Sequence, residues 1–121
     1  MDDRILIIMT SGPDTPRRCA TPFFMATIAA AMDYDVTMFF TIDGSLLLKK
    51  GLADTIFPKE GGRAAGGYLQ DALDAGVKFK ACTASMELHG LTAEDLIDDV
   101  DMVGGASMWE MADGATSVVS F

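Results

Sequence analysis

The sequence predicts an α/β fold, a three-layer α/β/α sandwich around a mainly parallel five-stranded sheet. Three observations predict it. Short apolar runs of strand length alternate with longer stretches of helical periodicity, and turn residues separate them. The first run, Ile5-Leu6-Ile7-Ile8-Met9, is apolar without alternation, as expected for a strand covered by helices on both faces. Thr10-Ser11-Gly12-Pro13 stops that strand and leaves it near the sheet centre. A helix follows, beginning at Thr15-Pro16 or at Thr21-Pro22, because each pair sets a hydroxyl N-cap before a proline at the first helical position. With the earlier start, Pro22 kinks it. From Phe23 to Met32 this helix has almost no polar face, which is more apolar surface than one sheet contact covers, so packing against another subunit is expected.

Residues 36–41 read as the second strand. Residues 45–50 read as a short helix with Lys49 and Lys50 in its last turn and Gly51 as its stop. Residues 53–67 contain Pro58, Gly61, Gly62, Gly66 and Gly67 and predict a mobile connection or lid rather than regular structure. Tyr68, Leu69, Ala72 and Leu73 mark one face of the next helix, which Ala75-Gly76 ends before an alternating strand over 77–81, with Cys82 at its terminus. A helical turn over 84–88 exits at Gly90, and Thr92 caps a further helix with Ala93, Leu96, Ile97 and Val100 facing inward. Residues 101–103 form a brief strand, 106–112 a helix opened by Gly104-Gly105, and 116–121 a last strand rich in β-branched residues. Five strands and about five helices result, in one domain over residues 1–121.

Composition narrows the function classes. Asp and Glu number 18 against 9 Lys and Arg, a net charge of −9, which repels a polyphosphate and excludes nucleic acid as the expected partner. The apolar stretch at 22–32 is too short to span a bilayer, and the Met1-Asp2-Asp3 start has neither the basic segment nor the apolar run of a secretory signal. The chain is therefore expected in the cytoplasm, with no membrane partner. Cys19 and Cys82 are too sparse for a disulfide scaffold and form no CxxC pair for zinc, so in a reducing compartment they are thiols.

In an open parallel sheet, ligands bind outside the carboxyl ends of the strands. The candidate site is therefore drawn from residues 10–19, 41–45, 82–85 and 104–107, and both cysteines fall within it. Cys82 lies where a strand passes into a helical turn, where free N–H groups and the helix dipole favour a thiolate. Two readings stand for it: a nucleophile, or a small buried hydrophobe. Cys19 follows Arg17-Arg18 and is either a resolving thiol or an ordinary packed residue. Arg17 and Arg18 either bind an anionic sulfur donor through paired guanidinium donors or are solvated surface charge. His89, the single histidine, is either a base for Cys82 or a capping group at a helix C-terminus. Glu87 and Asp43 lie near the same edge, as proton carriers or as solvated carboxylates.

Several chemistries lack their main part. There is no GxxxxGK loop, no GxGxxG after the first strand, no HExxH and no GxSxG, which removes nucleotide hydrolysis, a dinucleotide enzyme, a zincin and a serine hydrolase. One histidine and scattered carboxylates do not predict a metal centre, and no cofactor is expected. Cysteine chemistry is what remains.

The stretch KFKACTASMELHGLTAEDLIDDVDMVGGASMWEMADGATSVVSF, with the start ILIIMTSGPDTPRRCATPFFMATIAAAMDYDVTMFF, resembles the DsrE/DsrF-like family, small sulfur-relay proteins often labelled predicted peroxiredoxins. The likeness spans nearly the whole chain. It rests on a cysteine ending the third strand, the GLTAEDLIDDV segment after it and the apolar first helix. The resemblance implies a small α/β sandwich assembling into homo-oligomers such as trimers or hexamers, with the matching cysteine, Cys82, carrying sulfur as a persulfide. Some relatives have CxxC here, whereas this chain has Ser85 at the second position, so a resolving thiol would have to come from Cys19 or another molecule.

The function expected on this basis is a sulfurtransferase-like carrier that takes sulfane sulfur from a donor protein or small sulfane compound onto Cys82 and yields it to a partner thiol. The competing expectation is an oligomeric small-molecule-binding or assembly subunit with an inert Cys82. Thiol peroxidase activity, a third option, needs a route back to the thiol that nothing in the sequence secures.

Overall fold

The structure is a computed structural model and describes residues 3–121. Five strands, β1 (Arg4–Met9), β2 (Asp35–Phe40), β3 (Lys78–Cys82), β4 (Val100–Val103) and β5 (Ser117–Ser120), form one sheet in the order β4-β3-β2-β1-β5. Every pairing is parallel, from Ile5 opposite Val36 to Cys82 opposite Val103. The sheet is thus wholly parallel, as the uninterrupted apolar first strand requires.

Four α-helices connect the strands: α1 (Thr21–Ala31), α2 (Ala65–Asp74), α3 (Thr83–His89) and α4 (Gly105–Ala112). Strands β1 to β4 are laid down in one direction, and α4 then carries the chain from one sheet edge back to β5 beside β1. With right-handed crossovers, the return connection must run over the opposite face from α1 and α2. The side chains agree. Ile7, Met9, Val36, Met38, Phe40, Phe79 and Ala81 share a large core with Phe23, Ala26, Leu69 and Ala72 of α1 and α2. At its centre Phe23, Phe40 and Phe79 pack ring to ring, with centroids 5.0 to 6.0 Å apart. The alternate strand positions Leu6, Phe39 and Cys82 form a second, much smaller cluster with Met108, Met111 and Ala112 of α4. No residue of α4 is fully buried, so this face is thinly covered.

The first helix takes the later of its two starts. Pro16–Arg18 is a separate 3-10 turn, and Pro22 sits in the first turn of α1, where its missing N–H costs nothing, so no kink arises. Three expectations are corrected. Residues 45–50 are not a helix of their own: a 3-10 helix runs over Ile42–Leu48, three residues earlier, and Lys49 leaves it in extended conformation. The stretch 53–67 carries regular structure at both ends, with residues 56–64 irregular between them. Ala53–Thr55 is a 3-10 turn, the Ala65 N–H bonds the Ile56 carbonyl at 2.7 Å, and α2 already includes Gly66 and Gly67. Those glycines admit close neighbours, since a Cβ would strike the Asp54 carboxylate at Gly66 and the Arg63 side chain at Gly67. Finally, the helix expected after Thr92 is a single 3-10 turn, Ala93–Asp95. Leu96 and Ile97 turn away to pair with the chain at 48–49, where the Ile97 N–H bonds the Leu48 carbonyl at 2.9 Å, so tertiary pairing overrides helical periodicity.

Candidate active site

Cys82 is at once the last residue of β3 and the N-cap of α3. Parallel pairing with β2 brings the exit of that strand, Thr41 and Ile42, beside the first turn of α3. Contact between the two segments is made by Ser85, a buried hydroxyl 4% exposed. Its Oγ accepts the Ile42 N–H at 2.6 Å and lies 3.1 Å from the Thr41 hydroxyl. Two glycines let the exits of β1 and β2 approach closely. A Cβ on Gly44 would overlap the Met9 carbonyl, and one on Gly12 would overlap the Asp43 carbonyl.

The Cys82 sulfur sits among these groups, with the residue 8% exposed. Burial opposes its ionisation and is the largest single influence. The Ser85 N–H, the Thr41 hydroxyl, the Ala84 N–H and the Ser85 hydroxyl together outweigh it, and the thiol pKa is held below the ordinary value. A thiolate is a nucleophile, and here its charge is met by fixed donors rather than by a neighbouring cation. The cleft of about 420 Å³ lined by Leu47, Asp54, Leu69, Gln70, Asp98 and Asp99 does not include Cys82. The sulfur lies at the carboxyl edge of the sheet, at the end of β3 and outside that cleft.

Of the residues singled out from sequence, Ser85, His89 and Asp43 gather at this edge. His89 closes α3 ahead of Gly90, whose left-handed conformation ends the helix. Its Nε2 lies 3.1 Å from the Ile42 carbonyl and 3.3 Å from the Asp43 carboxylate, so it touches the turn after β2. Glu87 is exposed on α3. Arg17, Arg18 and Cys19 lie along and just after the 3-10 turn that follows β1. Arg18 donates from Nε to the Ser11 hydroxyl at 3.0 Å, and both arginines are exposed. Cys19 is fully buried in the larger core, its thiol donating to the Gly12 carbonyl at 3.3 Å, and burial raises its pKa. The two cysteines thus belong to different clusters, one on each side of the sheet. Thr41 and Ile42 fall within the strand-exit range 41–45 expected from the sequence, which assigns neither of them a role. Position at a strand exit was the available signal for Thr41, whereas a β-branched residue with φ of +53°, as at Ile42, leaves none.

Among solved structures, the YchN protein of E. coli has the same fold with a TM-score of 0.82 at 19% identity, covering 98% of this chain and 99% of that one. MTH1491 of Methanobacterium thermoautotrophicum shares the fold with a TM-score of 0.67 at 15% identity, over 98% of this chain and 99% of that one. Among curated proteins, the uncharacterized protein MJ0760 of Methanocaldococcus jannaschii is 31% identical over 84% of this chain, which spans 37% of that protein's length. The uncharacterized protein YrkE of Bacillus subtilis is 29% identical over 86% of this chain and 88% of its own. The sequence model of the DsrE/DsrF-like family matches residues 3–121, and the chain belongs to that family.

Proposed function

We propose that this protein is a sulfur carrier, a single domain over residues 1–121 that holds sulfane sulfur as a persulfide on Cys82 and passes it to a partner thiol. The observation that carries the reading is the placement of Cys82 where β3 meets the first turn of α3, beside the Ser85–Ile42–Thr41 hydrogen bonds, with the backbone and hydroxyls of that turn holding the thiol pKa below the ordinary value. Family membership supports the same chemistry.

The reaction balances without an external oxidant. The Cys82 thiolate attacks the outer sulfur of a donor persulfide, the new Cys82–sulfur bond forms as the donor S–S bond breaks, and the donor leaves as a thiolate with the electron pair. In the second step an acceptor thiolate attacks the outer sulfur now on Cys82, and Cys82 departs as the thiolate. In both steps the donors around Cys82 stabilise it as nucleophile and as leaving group. Because Cys19 is sealed on the other side of the sheet, the acceptor is a thiol of another molecule. The donor is a protein persulfide or a small sulfane compound, and the compartment is a reducing one such as the cytoplasm. The exposed apolar side chains Phe24, Met25 and Ile28 of α1 and Met32 at its C-cap form the contact through which chains assemble as a homo-oligomer, a trimer or hexamer.

A second reading, an assembly subunit with an inert Cys82, is favoured by that same apolar helix and by the low exposure of the cysteine. Discharge separates the two. Protein treated with polysulfide and desalted is mixed with a labelled small thiol. A carrier yields labelled persulfide in proportion to protein, and an inert subunit yields none above the Cys82→Ser control.

A further inference from the structure

Ile42 is a β-branched residue in the left-handed region, at φ +53°, a conformation that costs on the order of 1 kcal/mol or more and persists only where surrounding contacts enforce it. The enforcing contact comes from α3. His89 Nε2 faces two acceptors, the Ile42 carbonyl at 3.1 Å and the Asp43 carboxylate at 3.3 Å, so that nitrogen carries the hydrogen in either charge state of the ring. On the other side of the Ile42 Cα, in the preceding peptide unit, the Ile42 N–H donates to Ser85 Oγ at 2.6 Å. Ser85 Oγ, so held, also lies 3.1 Å from the Thr41 hydroxyl, a pair in which either can donate, and both hydroxyls favour ionisation of Cys82.

We propose that His89 is a positioning residue: it holds Ile42 left-handed, so that the Ile42 N–H fixes Ser85 and, through Ser85, the hydroxyl donor beside Cys82. The arrangement forms a closed loop. It runs from Cys82 along α3 to His89, across to Ile42, and back through Ser85 to the sulfur. The inference rests on the reading of Cys82 as the reactive sulfur.

The test is the pH dependence of iodoacetamide alkylation at Cys82, followed peptide by peptide in the full chain. His89→Ala removes the tether and is expected to slow alkylation at neutral pH about fivefold, the loss of roughly one net hydrogen bond to the thiolate. His89→Phe keeps the ring bulk without the donor and gives the same result if the alanine variant does not fold. Adding Ile42→Gly to His89→Ala is expected to restore the rate, because glycine adopts the left-handed conformation without a Cβ penalty. A His89→Phe or His89→Ala profile that overlays the wild type overturns the proposal, and so does a slowed variant that Ile42→Gly fails to restore. A wild-type profile like that of an ordinary thiol is a different failure, since it removes the sulfur-carrier reading itself.

Discussion

The Ile42 N–H and the Ser85 hydroxyl meet at 2.6 Å across the gap between the exit of β2 and the first turn of α3. This bond joins two segments far apart in sequence and places a hydroxyl beside the Cys82 sulfur. Ser85→Ala leaves the Ile42 donor and the Thr41 hydroxyl without that partner and removes one donor from the sulfur. We expect a stability loss of about 1–2 kcal/mol in urea unfolding and alkylation of Cys82 at pH 7 slowed about fivefold or more.

Close approach of the strand exits predicts opposite outcomes at two glycines. Gly44→Ala forces a Cβ into the Met9 carbonyl and is expected to cost about 1–3 kcal/mol, with a lower melting temperature and slower Cys82 alkylation as the turn shifts. At Gly105, in the first turn of α4, a Cβ meets nothing within 4 Å. Gly105→Ala should raise stability by up to about 1 kcal/mol in the same thermal scan.

The two cysteines should respond to alkali with opposite sign. Burial raises the Cys19 pKa, so its contribution to stability is complete below the unfolded-state value of about 8.5 and is lost as pH rises toward the folded value. The stability difference between wild type and Cys19→Ala should therefore move in favour of the alanine variant between pH 7 and pH 10. For Cys82, whose folded pKa is lowered, stabilisation is complete above the unfolded value and is lost as pH falls through the folded one. Urea unfolding of the Cys82→Ser variant should accordingly compare worse with wild type at pH 9 than at pH 6.

Assembly through α1 predicts that a charge on its exposed face dissociates the oligomer. Phe24, 53% exposed, and Met32, 63% exposed, lie on the surface of the single chain. Phe24→Glu should leave the circular dichroism spectrum unchanged while sedimentation shifts from a trimer or hexamer to a monomer. An unchanged sedimentation profile would contradict assembly through this face.

Much of the architecture was legible because it follows from local chemistry. The apolar run at Ile5 to Met9 marked an interior strand, which lies between β2 and the edge strand β5, and Gly90 and Gly104-Gly105 marked the bounds of α3 and α4. What escaped depends on distant partners. Leu96 and Ile97 keep helical spacing yet bond to the chain at 48–49, and Gly66 and Gly67 look like linker residues yet lie in a helix against Asp54 and Arg63. The site divides in the same way. Cys82 and Ser85 could be named because a strand end followed by a helix start is visible in sequence. The role of Ile42 could not, because its left-handed backbone runs against the preference of its side chain.

The central claim is that the Cys82 sulfur is anionic and reachable, and intact-mass spectrometry tests it most directly. Reduced protein is incubated with a polysulfide, desalted and weighed beside Cys82→Ser. The account predicts a gain of one sulfur atom in the wild type, mapped to the Cys82 peptide and removed by a thiol reductant, with no gain in the variant. A wild-type mass that does not change, or an equal gain in both proteins, would contradict it.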